Sequence, residues 1–286
     1  MSIRLVITDA MWDRIRPLMP ADPVRGRRWA DHRRTLEAIA WKYRTNSPWR
    51  DLPDELGSFQ TAHKRLIRWA VDGTWEMILT AVLSSADADD DIDWTVSVAS
   101  TVVRAHQHAA GAVKRGRPTP ANPPITRSER SRGGLSTKVH LAADGHARPL
   151  AFTVTAGQAG DAPAFEAVMS RIRVPRRGPG RPRTRPLAVL ADRAYSSRAI
   201  RTHLRRRGIR AVIPQPSDQV GHRLRRGRLG GRPPGFDSEA YKQRNTVERC
   251  INRLKQWRGL ATRTDKLAIA YQAALHLAGI LIWSRR

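Results

Sequence analysis

From the first residues to about position 85, apolar side chains recur at the spacing of one helix face: Trp12, Ile15 and Leu18, then Leu36, Ile39, Ala40 and Tyr43. Two turn-rich stretches follow, Ser47-Pro48-Trp49 and Asp51-Leu52-Pro53, and Ser58 is placed to cap a helix from Phe59 to Val71. That helix carries Gln60, Thr61, His63, Lys64, Arg65 and Arg68, with Leu66, Ile67 and Trp69 packed behind them. Amide and basic side chains on a short helix after a turn suit entry into a DNA major groove, as in a helix-turn-helix. A packed helix with a solvated basic face has the same pattern.

Beyond the acidic stretch Asp87 to Asp93 the pattern changes to short runs rich in β-branched and apolar residues, predicting strands over Trp94 to Ala99, Lys138 to Ala142 and Leu150 to Thr155. A helix near Ala162 to Arg171, a strand over Leu187 to Ala191, a helix near Ser197 to Arg207, a strand over Arg210 to Ile213 and a long helix from about Ser238 complete the series. The order βββαβαβα, a three-stranded meander followed by alternating helices and strands, is that of an α/β, ribonuclease H-like core. The chain thus divides into a helical DNA-binding part, residues 1–85, and a catalytic-type part, residues 86–286.

Three segments rich in Arg, Gly and Pro, namely Lys114 to Gly134, Arg171 to Pro186 and His222 to Gly235, interrupt that core and are expected to be loops. Each contains Gly-Arg-Pro, and Arg115-Gly116-Arg117-Pro118 resembles the core of a minor-groove AT-hook, making Arg115 and Arg117 candidate DNA contacts. The alternative is a linker of biased composition, which would hold phosphates all the same.

Charge then fixes the class of partner. Fifty-two Lys and Arg against 25 Asp and Glu leave a net +27, a surface that repels itself unless a polyanion is near. Such a surface binds nucleic acid tightly at low salt and loses affinity steeply as salt rises. The single cysteine, Cys250, rules out an internal disulfide and any cysteine-based zinc site and fits a reducing cytoplasm. The N-terminal residues lack the apolar run of a signal peptide, and Gln272 and His276 interrupt the apolar stretch from Leu267 to Trp283, so no membrane partner is expected.

Two acids stand out for chemistry. Asp192 follows directly on an apolar strand, at the carboxyl end where open α/β sheets place ligands, although an Asp there also suits a helix cap. On the long helix, Tyr241, Arg244, Glu248 and Lys255 fall on one narrow stripe, with Val247, Cys250, Ile251 and Leu254 opposite. A tyrosine, two cations and a carboxylate aimed one way suit phosphate and metal. His106 and His108 flank Gln107 and invite a metal reading, but without further clustered ligands they fit DNA contact or local packing better.

The pattern Y-x-x-R-x-x-x-E-x-x-x-x-x-x-K over Tyr241 to Lys255 resembles the segment around the catalytic glutamate of DDE transposases of bacterial insertion sequences, in the insertion sequence five family and its relatives. Trp49-Arg50-Asp51-Leu52-Pro53 is similar to that family's N-terminal module, and Ala191-Asp192-Arg193-Ala194-Tyr195 to the segment bearing its second aspartate. The resemblance implies cut-and-paste transposition: binding of terminal inverted repeats on double-stranded DNA, then strand cleavage and transfer into target DNA by a dimer or larger synaptic complex. It also implies two Mg²⁺ ions, with Mn²⁺ able to stand in, about 4 Å apart and held by three carboxylates. Of these, Asp192 and Glu248 are present; the first, in the segment Ser97-Val98-Ala99-Ser100-Thr101, is replaced by Ala99. Asp93, six residues back along the strand or about 20 Å, is too far to substitute. By the same resemblance Tyr241, Arg244 and Lys255 steady DNA; the helix pattern, and not the resemblance, makes Gln60, Lys64, Arg65 and Arg68 candidate DNA contacts in the N-terminal part, and the C-terminal helix is expected to assist assembly. The expected form is therefore a transposase that binds DNA and scarcely cuts it. A transposase-derived DNA-binding protein without catalysis, or another ribonuclease H-like nuclease, fits the same acids.

Overall fold

The computed structural model describes residues 4–25, 28–110, 129–131 and 134–285. Helices α1 (Asp9–Ile15), α2 (His32–Thr45), α3 (Phe59–Val71) and α4 (Thr74–Ala88) lead into strand β1 (Thr95–Ala105) and the single turn α5 (Gln107–Ala110). Strands β2 (Glu129–Ser131), β3 (Gly134–Ala143) and β4 (Pro149–Ala156), helix α6 (Asp161–Ser170), β5 (Ala188–Ala191), α7 (Arg198–Arg206) and β6 (Arg210–Val212) follow. The remainder is helical apart from one short strand: α8 (Ser217–Arg225), α9 (Ser238–Lys242), α10 (Asn245–Lys255), α11 (Arg258–Ala261), β7 (Thr262–Arg263) and α12 (Ala268–Ser284).

The sheet runs β4-β3-β1-β5-β6, with β2 also on β3 and β7 on the far end of β1. β3 is antiparallel to β1 and β4, while β5 and β6 are parallel to β1 and to each other. An antiparallel meander joined at its first strand to a parallel pair is the ribonuclease H-like arrangement, as the order of patterns predicted. Helix α6 packs on β3 and β4. The opposite face takes α10 on β1 and β3, and α12 on β4.

Helix α12 corrects one expectation. It lies inside the molecule, touching α2, α3, α4 and β4, and its residues are buried on every side, which is how a helix apolar all round must sit. Among the residues of α12 up to Ser284, only Ile269 and Gln272 are partly exposed, beside Trp69 and Glu76, so the helix serves chiefly as core. Gly279 lies close against Leu79 of α4 and Phe152 of β4, where an added Cβ would come to van der Waals distance, 3.4 Å, of both. Trp283 closes the end by donating its indole N–H to the Pro149 carbonyl at 2.7 Å. The N-terminal helices and the sheet accordingly share one continuous core across residue 85. No helix among the described residues is long and apolar enough to cross a membrane.

Other local expectations are revised as well. β1 extends to Ala105, so position 99 sits in the middle of a strand and not at its end. Part of the expected loop His222 to Gly235 is helix α8 and a short 3-10 turn, whereas Arg171 to Pro186 is a loop pinched by an antiparallel bridge between Val174 and Arg183. Arg115 and Arg117, with their Gly-Arg-Pro, lie outside the described residues. Ser58 does occupy the N-cap of α3, but its hydroxyl makes no capping bond. The helix expected from Ser238 is broken into α9 and α10, with Gln243 and Arg244 forming the turn between them.

Candidate functional site

β1 and β5 pair in parallel with Val96 beside Val189, Ser97 beside Leu190 and Val98 beside Ala191. The next step of that register sets Asp192, the first residue past β5, beside Ala99. Paired residues of a parallel ladder share a face, and side chains alternate along each strand. Ala99 therefore faces the same side as Ser97, whose hydroxyl accepts a 3.0 Å hydrogen bond from Thr246 of α10. That buried bond ties the start of α10 to the sheet beside position 99. The apolar face of α10, Val247, Cys250, Ile251 and Leu254, is buried as its spacing predicted, leaving Glu248 half-exposed at the border of the face.

Asp192 and Glu248 meet through a cation. Nη2 of Arg244 lies 3.5 Å from Asp192 Oδ2 and 3.0 Å from Glu248 Oε1, so the two carboxylates stand on either side of one guanidinium nitrogen. Asp192 serves two ends at once: its Oδ1 accepts from the Ala194 N–H at 2.8 Å and caps the turn Arg193–Tyr195, while Oδ2 points into the site. Ala99, 2 % exposed, contributes only a methyl group. Asp93 is no substitute, because its Oδ1 accepts from the Thr95 amide at the opposite end of β1.

Two acids around a guanidinium suit a single positive centre. Asp192 and Glu248 are the carboxylates that would hold a divalent ion here, and position 99 adds no third oxygen to them. Among the described residues no three His, Cys, Asp or Glu side chains gather as a metal cluster. His106 and His108 stack edge to face with ring centres 4.5 Å apart, and the His108 amide donates to His106 Nδ1 at 3.3 Å.

The other residues of the predicted stripe do not all converge. Tyr241, on α9, packs half-buried against Ala188, Leu190 and Val212 and touches Phe236, so its ring supports the sheet. Lys255 ends α10 two turns beyond Glu248, about 10 Å along the helix axis.

Sequence reasoning missed a cluster on the opposite face. Asp161, at the start of α6, accepts from the Ser100 hydroxyl at 2.6 Å and from Lys138 Nζ at 3.1 Å, with the buried ring of His140 at 3.9 Å. Burial pushes the Asp161 carboxyl up, but the Ser100 and Lys138 hydrogen bonds and the Lys138 charge outweigh it and hold the group below its ordinary value. The Tyr195 ring, buried against Phe165, comes under the influence of both Asp161 and Asp192, and its hydroxyl is raised by burial first and by those charges second. Nothing in the spacing of residues 100, 138, 140 and 161 marks them as neighbours, since they come from three elements.

On α3, Gln60, Lys64 and Arg68 are exposed, and Gln60, His63 and Lys64 line an open cleft of about 930 Å³ shared with Trp49, His108 and Lys266. Arg65 departs from its predicted role at a DNA surface. It is 4 % exposed, its guanidinium 3.8 Å from the Trp29 ring centre and 4.9 Å from that of Trp69, and Nη1 lies 3.1 Å from His32 Nδ1. Burial, with the neighbouring Arg68 charge adding to it, pushes its pKa down to about 10.

Comparison with known proteins gives two family matches: residues 92–283 match the model described as a transposase DDE domain, and residues 7–79 one described as a transposase of the IS4/5 family. The chain is 28% identical over 151 residues to a protein described as the transposase for insertion sequence element IS6501 of Brucella ovis, covering 53% of this chain and all of that protein. It is 32% identical over 168 residues to the one described for element IS402 of Burkholderia cepacia, covering 58% of this chain and 69% of that protein. An uncharacterized Sinorhizobium fredii protein, y4sN, is 37% identical over 108 residues, covering 37% of this chain and 82% of that protein. Among solved structures, the Mos1 transposase paired-end complex with left transposon end aligns at 12% identity and a TM-score of 0.25, over 84% of this chain and 82% of that one, too loosely to bear on the site.

Proposed function

The chain belongs to the DDE transposase family of insertion sequences, in the IS4/5 group, and from that premise we propose that it binds the ends of its element on double-stranded DNA but does not cut them at an appreciable rate. The observation that supports this reading is the register of β1 and β5, which pairs Val98 with Ala191 and so carries the Ala99 methyl alongside Asp192, at the position where the sequence resemblance expects the family's first aspartate. In-line phosphoryl transfer by two divalent ions would draw its protein ligands from carboxylate oxygens, and position 99 offers no oxygen. Asp192 and Glu248 are two such groups, and Arg244 offsets one of their two charges.

DNA binding does not depend on that oxygen. The net +27, the exposed Gln60, Lys64 and Arg68 on α3 and the cation Lys255 beyond Glu248 support contact with phosphates and with a groove. Holding two ends for transfer requires at least a dimer on DNA.

The test is a nicking assay on a plasmid carrying the element's ends in Mg²⁺, comparing the chain with Ala99→Asp and with the double variant Ala99→Asp/Glu248→Gln. The expected result is DNA binding by all three and nicking by Ala99→Asp alone. Equal nicking by the unmodified chain, or no nicking by any form that binds, contradicts the proposal.

A further inference from the structure

A concentration of unpaired positive charge lies outside the acidic site, in an open cleft of about 930 Å³ between α7 and α8. Arg198, Arg201 and Arg205 reach it from α7, and Arg223, Arg225 and Arg226 from α8 and its end. Among the described residues none of these six makes an ion pair with a carboxylate, and Asp218 is the one acid on the lining. Nε of Arg201 and of Arg223 is buried without a hydrogen-bond partner. A buried donor left unmade costs free energy, and six like charges around one hollow repel one another. The repulsion among them is relieved by a polyanion in the open cleft.

The walls are fixed before any ligand arrives. Arg201 donates to the Ile213 carbonyl at 2.7 Å and to the Ser196 hydroxyl at 3.1 Å, and that hydroxyl donates to Gln219 Oε1 at 3.1 Å, so α7, the end of β6 and α8 are laced together. The turn after α8 folds back so tightly that a Cβ at Gly230 would run into the Arg223 carbonyl. It delivers Arg232, from the third Gly-Arg-Pro, to the same cleft. Ser196, on the lining, ends the short turn Arg193–Tyr195 that Asp192 caps, so a single turn of chain joins the cleft to the acidic site.

We propose that this arginine cleft is a phosphate-backbone track for duplex DNA, leading the strand toward Asp192 and binding it without regard to sequence. The proposal rests on the reading that the chain handles DNA, and it goes beyond that reading in assigning the main electrostatic contact to α7 and α8 instead of α3. Guanidiniums on two rigid walls suit successive phosphates of a backbone.

The experiment measures affinity of the full chain for a labelled random-sequence duplex between about 50 and 200 mM salt. It compares the unmodified chain, the exposed cleft pair Arg198→Gln/Arg226→Gln, and Arg16→Gln/Arg173→Gln, which removes the same charge from exposed positions elsewhere. If the cleft pair contacts two phosphates, the slope of log affinity against log salt shrinks by about 2 in that variant and stays unchanged in the control, with all three proteins melting at the same temperature. An unchanged slope in the cleft variant, or an equal fall in the control, overturns the track and leaves the proposed function standing. Failure of the unmodified chain to bind any duplex overturns both. Tighter binding of single-stranded RNA than of duplex, lost with the same cleft pair, overturns the assignment to duplex DNA.

Discussion

At the scale of single residues, charge type alone did not reveal role. Lys64, Arg65 and Arg68 are adjacent cations on one predicted helix, yet Arg65 sits between Trp29 and Trp69 while Lys64 is solvated. Trp29 is 36 positions away from Arg65, and no periodicity links them. Replacing Arg65 with Ala removes two cation–π contacts and the packed stem of the side chain, so a loss of roughly 2 kcal/mol of stability is expected. Thermal melting checks this. A variant that melts like the unmodified chain while losing DNA affinity would return Arg65 to the surface. Asp192 was read correctly as lying just past a strand; one oxygen realises the capping role weighed for it, and the other is left to pair with Arg244.

At the scale of elements, the strands and most helices were legible because alternation and helical spacing are local signals. Helix α3 was read to the residue. The break between α9 and α10 was not, since Gln243 and Arg244 are ordinary helix formers and the turn is set by tertiary contacts: Tyr241 held under Leu190 on one side and Thr246 bonded to Ser97 on the other. The central place of α12 was equally hidden, because a helix apolar on all sides shows that it is buried but not against what. Its burial has a consequence in acid. His276 on α12 is pushed down to about 4 by burial chiefly and by Arg171 next, and His140 on β3 to about 4 by burial chiefly, with Asp161 opposing and Lys138 adding. Both rings are neutral in the fold, while the unfolded chain takes up their protons near 6.5. The stability they allow is intact above about pH 6.5 and falls by about 1.4 kcal/mol per pH unit for each ring between there and about 4. Urea unfolding across that window checks the slope, and His276→Gln should flatten it by about half. A stability that stays level from pH 7 to 4.5 would show that these rings are not held neutral.

At the scale of the whole molecule, the ribonuclease H-like order could be read from the sequence and the convergence of Asp192 with Glu248 could be anticipated from it. The geometry that joins them comes from three long-range features: the β1–β5 register, the Ser97–Thr246 bond and the Arg244 bridge. Residues 95 to 248 must be assembled before any of these exists, so no local pattern encodes them. The expected boundary near residue 85 has a physical counterpart in the change from helices to sheet, yet α12 threads one core through both parts.

The claim on which the account turns is that position 99 faces the same hollow as Asp192 and Glu248. Titration of the DNA-free protein with Mn²⁺, following free ion by electron paramagnetic resonance, tests it without reliance on activity. The account predicts weak binding by the unmodified chain and a gain of at least about tenfold, or about 1.4 kcal/mol, in Ala99→Asp, abolished again when Glu248→Gln is added. Equal Mn²⁺ affinity in the unmodified chain and in a properly folded Ala99→Asp variant would contradict it.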